Sequence, residues 1–352
     1  MNELFAERFK SARLMNGYSL QDLSEKLGNI SRQALHKYEK GEVLPDSEMM
    51  DLLCETLHVR PDYFTRETIV ELGEISFRKL KKFSKREQNS ITERTREVLS
   101  RYLEVEEILG IKKEFEHPVP EIKKIEKPED VDTFAEIIRK KWELGNDPIA
   151  NVAELLEEKN IKVIELETED GFDGLQTWVN GKETPVIVLN RAKLISNDRK
   201  RFTALHELGH LLLPLEGLEE KIAEKYCHRF AGAMLFPKKA AINELGENRS
   251  KISIQELGFI KEQYGISIQA LVYRLWDLGI ISEYYKNYFY KYISQMGWRV
   301  HEPFEYKGKE ESSRFDQLIY RSLAEEIITM SKAASLKNMK LAEFRKKSLI
   351  IE

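Results

Sequence analysis

Cysteine is nearly absent. Cys54 and Cys227 are the only two in 352 residues, too few and too far apart for a disulfide framework. That usage suits a reducing cytoplasm. No apolar run approaches the ~20 residues a membrane span requires. The N-terminal MNELFAERFKSARL is charged where a signal peptide would be apolar. These absences predict a cytoplasmic protein with no membrane partner. Repeats and low-complexity tracts are also missing. Charge is balanced as well, with 56 Lys and Arg against 60 Asp and Glu, a net of −4. No chain-wide attraction to nucleic acid follows from that total. What remains is an ordinary globular composition, 41% hydrophobic and long enough for two or three domains.

Residues 1–66 read as short helices. LFAERFKSARLMNG closes at Gly17, and SLQDLSEKLG follows with Ser19 and Asp22 spaced as a capping box. After the turn at GNI, SRQALHKYEKG begins at an expected N-cap, Ser31, and ends at Gly41. DSEMMDLLCETLHV supplies a fourth helix and RPDYF a short fifth. A capped helix, a glycine turn and a second capped helix with a polar side make a helix-turn-helix.

Residues 67–127 read as a charged helical linker. Ile91, Thr95, Val98, Tyr102, Val105 and Leu109 form a stripe under three heptads long, which predicts a helix packed on its neighbours. HPVPEIKKIEKPED marks a boundary near 117–130. Beyond it, helices, a strand IKVIELET and a hairpin GLQTWVNGKETPVIVLN around Asn180–Gly181 predict a mixed region.

RFTALHELGHLLL (201–213) carries the chemistry. His206 and His210 are four residues apart, so a helix projects both from one face, one turn apart. Glu207 is rotated off that face and can reach a water between the rings as general base. Phe202, Leu205, Leu208, Leu212 and Leu213 make the helix apolar, so two buried imidazoles need partners, and a metal satisfies both. Catalytic zinc requires a third protein ligand and an open position. Glu224, opening the second helix AEKYCHRFAGAMLFP, is the candidate. The other reading is a core helix with two incidental histidines.

RFTALHELGH, EKYCHRFAGAMLFP and the preceding hairpin together resemble the ImmA/IrrE metallopeptidases over about 65 residues. The resemblance implies a zincin-like α+β domain with a small sheet. It also implies a gluzincin-like centre with His206, His210 and Glu224 as ligands of Zn2+ and Glu207 as base. Other divalent ions suit two His and a carboxylate too. Two positions depart from the family pattern. Cys227 stands where Ala is usual and reads as a small buried hydrophobe. His228 stands where Asn or Asp is usual, one turn beyond Glu224. Its role stays open: to orient a ligand, to polarise the scissile carbonyl, or to compete as a ligand. The outer hairpin strand, with Gln176, Thr177 and Trp178, is a candidate edge for pairing an extended substrate.

Residues 1–66 resemble the Xre/Cro-like repressors through RFKSARLMNGYSLQDLSEKLG, SRQALHKYEKG and LCETLHV. The resemblance implies that Gln21 and the first turn of the third helix approach double-stranded DNA. Ser31, Arg32, Gln33, His36 and Lys37 are the expected contacts. Nine Lys and Arg against eleven Asp and Glu give this stretch a net charge of −2, whereas DNA readers usually carry a positive footprint. RKLKKFSKR (78–86) adds six basic residues and reads either as a phosphate tracker or as a solvated helix face. An alternative is that these helices only dimerise with a repressor of the same fold.

LGFIKEQYGISIQALVYRLWDLGII has a helix-turn-helix outline but lacks basic residues where its second helix begins, so a packing subdomain is expected. Residues 300–352 read only as helical, charged and packed at an edge. The fold expected is multidomain and mainly α. It comprises a helix-turn-helix domain (1–66), a helical linker (67–127), a zincin-like peptidase domain (128–245) and a helical C-terminal region (246–352). The function expected is a zinc-dependent endopeptidase fused to a DNA-binding domain. It would act in transcriptional regulation by cleaving a regulatory protein, a helix-turn-helix repressor by family resemblance; a homodimer is compatible with this. The rival is a DNA-binding regulator whose metal site is sensory or structural. Self-cleavage near 117–130 is a third reading.

Overall fold

A computed structural model describes residues 2–67, 70, 72–73, 83–122, 124–168, 171–179, 181, 184–192 and 196–348. The chain divides into two compact units. One comprises Met1–Lys113, Thr177–Glu183 and Ser313–Glu352, the other Glu114–Gln176 and Thr184–Ser312. No described helix is long and apolar enough to cross a membrane.

The first unit opens with α1 (Asn2–Met15), α2 (Leu20–Leu27), α3 (Arg32–Glu39) and α4 (Ser47–Leu57), then a 3-10 turn at Pro61–Thr65. Capping follows the expected chemistry. Ser19 and Asp22 form a reciprocal capping box on α2, Gly28 closes it in the left-handed region, and Ser31 Oγ accepts from the Ala34 N–H at the start of α3. Phe5, Phe9, Leu23, Leu35, Leu53 and Phe64 bury together as the core of this four-helix cluster.

α5 (Lys85–Ile108) packs on α1, and its stripe is buried at Ile91, Thr95, Tyr102 and Val105. A charged cluster joins α5 to α1. Glu97 accepts from Arg8 at 2.7 Å, lies 3.3 Å from Arg101 and also pairs with Arg66, while the Arg8 guanidinium covers the Tyr63 ring at 3.6 Å. Burial pushes the Glu97 carboxyl up, but Arg66, Arg101 and Arg8 outweigh it and hold the group below its ordinary value. The basic run 78–86 lies outside the described residues up to 82.

The C-terminal helices α14 (Arg314–Ala324), α15 (Met330–Leu336) and α16 (Leu341–Lys347) belong to this same unit. Leu318, Ile319, Ala333 and Phe344 form one buried cluster with Tyr102 and Val105 of α5. Arg60 Nη1 donates to Met339 O at 2.6 Å, and Ser335 Oγ donates to the Asp62 carboxylate. The chain thus returns to its N-terminal unit, a feature with no local sequence signal.

The second unit holds α6 (Pro128–Lys141), α7 (Val152–Glu158), α8 (Asn197–Leu212), α9 (Glu220–Leu235), α10 (Lys238–Leu245), α11 (Ile254–Tyr264), α12 (Ile268–Asp277) and α13 (Glu283–Gln295). Its sheet has strands β1 (Lys162–Leu166), β2 (Gly174–Val179) and β3 (Thr184–Asn190) in the order β1-β3-β2. β1 runs parallel to β3 with Ile164 opposite Val188. β3 is the central strand, so its apolar run PVIVLN is buried from Pro185 to Asn190. β2 is the outer strand, and its last three residues count with the first unit. Asn180 of the expected turn lies outside the described residues. The proline-rich stretch packs: Val119 and Ile125 are buried, and the His117 ring lies 3.0 Å from Leu212 O.

The edge of β2 is partly taken. The Gly73 N–H donates to Trp178 O at 2.7 Å, and Leu72 forms an antiparallel bridge with Val179. An edge expected to be open to substrate is therefore closed by the chain itself at Trp178 and Val179.

Candidate metal centre and helix-turn-helix surface

α8 packs on β3 and on α9. Two glycines set how closely α8 is approached. A Cβ on Gly174 of β2 would lie 2.8 Å from Thr203 Cγ2 of α8, and one on Gly209 of α8 would lie 3.2 Å from Cys227 Cα and Phe230 Cδ1 of α9. Hydrogen at these positions lets backbone meet backbone. The Gly209 contact brings the first turns of α9 against the histidine face of α8.

The result is a convergence of three donors. His206 Nε2 lies 3.2 Å from Glu224 Oε2, His210 Nε2 lies 3.2 Å from Glu224 Oε1, and the two histidine nitrogens lie 3.3 Å apart. A tetrahedral zinc with bonds of about 2.0–2.1 Å spaces its ligand atoms by about 3.3 Å. The donor set therefore fits the ion in kind and in spacing. His206 is 7% exposed and Glu207 2%, whereas the Glu224 side chain is 37% exposed, so the cluster is enclosed on the α8 side and open on the α9 side.

His228 belongs to the same cluster. Its ring centroid lies 4.4 Å from that of His206 and 5.8 Å from Phe202, on which it stacks. One donor atom each from His206, Glu224 and His228 fall within 4.8 Å of one another. Cys227 is fully buried against Gly209.

The helix is braced from behind by residues that sequence reasoning missed. Arg201, fully buried on α8, lies 2.9 Å from Glu310 and donates to the Tyr306 hydroxyl at 2.7 Å and to Ile149 O at 2.6 Å. Lys200 pairs with Glu165 at 2.7 Å. Burial pushes the Glu310 carboxyl up, opposed by Arg201. Glu302 accepts from the Ile268 and Gln269 amides at the start of α12 and from Lys261. The stretch 300–310 is thus a structural strap within the second unit.

The expected DNA contacts sit on the surface of the first unit. Arg32, Gln33, His36 and Lys37 are exposed on α3. Gln21 is exposed but donates to Glu25 at 2.8 Å, and Ser31 is engaged as the cap of α3.

These features define a class, a helix-turn-helix domain joined in one chain to a domain with a metallopeptidase-type helix pair. Two family models match parts of the chain. Residues 156–276 match the IrrE N-terminal-like domain of peptidase family M78, and residues 9–64 match the helix-turn-helix family. The chain is also similar to the SPbeta prophage-derived uncharacterized HTH-type transcriptional regulator YonR of Bacillus subtilis (strain 168). They are 38% identical over 65 residues, which is 18% of this chain. The match spans 59% of the length of that relative.

Proposed function

We propose that the protein is a zinc-dependent endopeptidase that also binds double-stranded DNA and acts in transcriptional regulation by cleaving a regulatory protein. The observation that carries this reading is the three-way convergence of His206, His210 and Glu224 at 3.2–3.3 Å. A helix-turn-helix repressor is the substrate suggested by the family resemblance.

His206, His210 and Glu224 would hold the ion, which when bound supplies Lewis acidity toward water and a carbonyl oxygen. Glu207 is the general base: its carboxylate takes the proton of the attacking water and returns it to the leaving amine. His228, fixed against Phe202, stands at the open side, where its ring can donate to the developing oxyanion. Gly174–Gln176 of β2 supply backbone for an extended peptide, Trp178 being already engaged.

Arg32, Gln33, His36 and Lys37 present the polar face of α3 to the major groove, with Ser31 at its start and Gln21 on the first turn of α2. DNA binding would fall steeply with salt, because each neutralised phosphate releases counterions. Contact with protein alone would leave a promoter fragment unshifted at any salt.

A second reading, a regulator with a sensory or structural metal site, is favoured by one observation: His228 lies within the donor cluster and can close the fourth position. Elemental analysis of protein purified without added metal, followed by cleavage assays on candidate repressors, separates the readings. The enzyme reading expects near-stoichiometric zinc, its loss in Glu224→Ala, and no cleavage by metal-loaded Glu207→Gln. Full cleavage by Glu207→Gln would sink the mechanism. A wild type that refuses zinc on titration would reduce HELGH to an ordinary helix.

A further inference from the structure

The second unit contains a cavity of about 790 Å³ whose lining includes His228, beside the candidate metal centre. Phe202 and His228 form its near end, Gly232 and Ala270 line its flank, and Tyr273 and Phe304 belong to its wall. Its size falls within the ~300–1,000 Å³ range of ligand sites, more than one side chain needs.

The buried part of its charged lining, Arg229, Arg274 and Lys261, is already paired. Arg229 pairs with Asp132 at 2.6 Å, Arg274 pairs with the same carboxylate, and Lys261 lies 2.9 Å from Glu302 and 3.4 Å from Asp198. A charged guest reaching those three residues would have to displace a buried ion pair, which costs several kcal/mol per ion. An apolar guest meets aromatic and aliphatic faces instead. Val300 at the lining is 80% exposed and Tyr273 37%, apolar surface that the fold leaves uncovered.

Position along α9 ties the cavity to the metal centre. His228 lies one turn beyond Glu224 and Gly232 a second turn, steps of about 5.4 Å each. An extended peptide advances about 3.4 Å per residue. A chain whose carbonyl sat at His206, His210 and Glu224 would therefore place a side chain two or three residues away in the cavity.

We propose that this cavity is a specificity subsite, taking bulky apolar side chains, aromatic ones above all, from the peptide flanking the cleaved bond. The proposal rests on reading the metal centre as a peptidase centre. It adds a substrate class that the ligand set alone does not imply.

The test uses zinc-loaded full-length Glu207→Gln protein and fluorescent Ala/Gly-based peptides carrying a single Phe, Leu, Lys or Glu. Fluorescence anisotropy should show Phe and Leu peptides bound about tenfold tighter than Lys and Glu peptides. Ala270→Trp, which puts a bulky ring into the cavity from its lining, should abolish that preference without changing zinc content. Val300→Glu, at an exposed position that folding does not need, should weaken it too. Equal affinity for all four peptides, or a preference that survives both substitutions, would overturn the proposal. Apolar preference without cleavage by the wild type would leave the subsite standing and defeat the peptidase reading. Cleavage without that preference would do the reverse.

Discussion

His210 Nε2 and Glu224 Oε1 meet at 3.2 Å across two helices, and a Cβ on Gly209 of the first would lie 3.2 Å from Cys227 Cα of the second. The glycine between the histidines of HELGH is therefore part of the geometry of the candidate metal centre, although it offers no ligand. Gly209→Ala tests this through the sign of its effect. In an exposed helix the change stabilises by about 1 kcal/mol. Here the new methyl would stand 3.2 Å from Cys227 Cα and Phe230 Cδ1, so overpacking of about 1–3 kcal/mol should win. A lower urea midpoint together with weaker zinc retention is the expected result. A more stable protein with unchanged zinc content would show that the helices have slack.

Glu97 gathers Arg8, Arg66 and Arg101 where α5 meets α1. Glu97→Gln would leave three cations facing one another and should cost about 3 kcal/mol at neutral pH. The pH dependence follows from the direction of its shift. The folded carboxyl is held below its ordinary value, so its contribution is fully present above the unfolded value of about 4.3. It is lost as pH falls through the folded one. Denaturant midpoints of wild type and variant should converge in acid, and a gap independent of pH would refute the assignment.

Much of the candidate site is legible because its signals are local. Ser19 with Asp22 and Ser31 with Ala34 act within one helical turn, and the i, i+4 spacing of His206 and His210 places both rings on one face of α8. Glu224 could be reached because α9 announces its apolar face through Cys227, Phe230 and Met234. What was hidden joins residues far apart in the chain. Arg201 and Glu310 are 109 positions apart, and Asp62 finds Ser335 across 273. A single Arg or Glu in a polar stretch reads as solvated surface until its burial is known. Leu72 and Gly73 likewise give no strand signal, since a two-residue bridge has no period to detect.

Asp277 has the opposite titration from Glu97. Burial pushes its carboxyl up to about 6, against the pull of Arg229 and Arg274. The folded protein therefore holds a proton that the unfolded chain has released between about pH 4 and 6, and this group lowers stability as pH rises through that window. Asp277→Asn removes the titration. The stability of wild type minus variant, measured with chelator present, should fall from pH 4 to 6 and then level. Parallel curves would show that Asp277 titrates normally.

Arg201 and Glu310 offer the sharpest test of the strap behind α8. Arg201 is 0% exposed and Glu310 1%, and the second carboxylate oxygen of Glu310 accepts the Ala153 N–H at 2.8 Å. Arg201→Met would strand a buried carboxylate and should cost about 3–5 kcal/mol. Glu310→Gln alone would leave the guanidinium with Tyr306, Ile149 O and Tyr264 O, and so should cost less. The double variant should be more stable than Arg201→Met, because removing both charges leaves neither uncompensated. A double-mutant cycle on denaturant midpoints reads the coupling directly. If the strap positions α8, zinc affinity should fall in Arg201→Met and recover in part in the double variant. Additive losses would mean that the two side chains act separately and that the helix is held by its apolar contacts with β3 and α9.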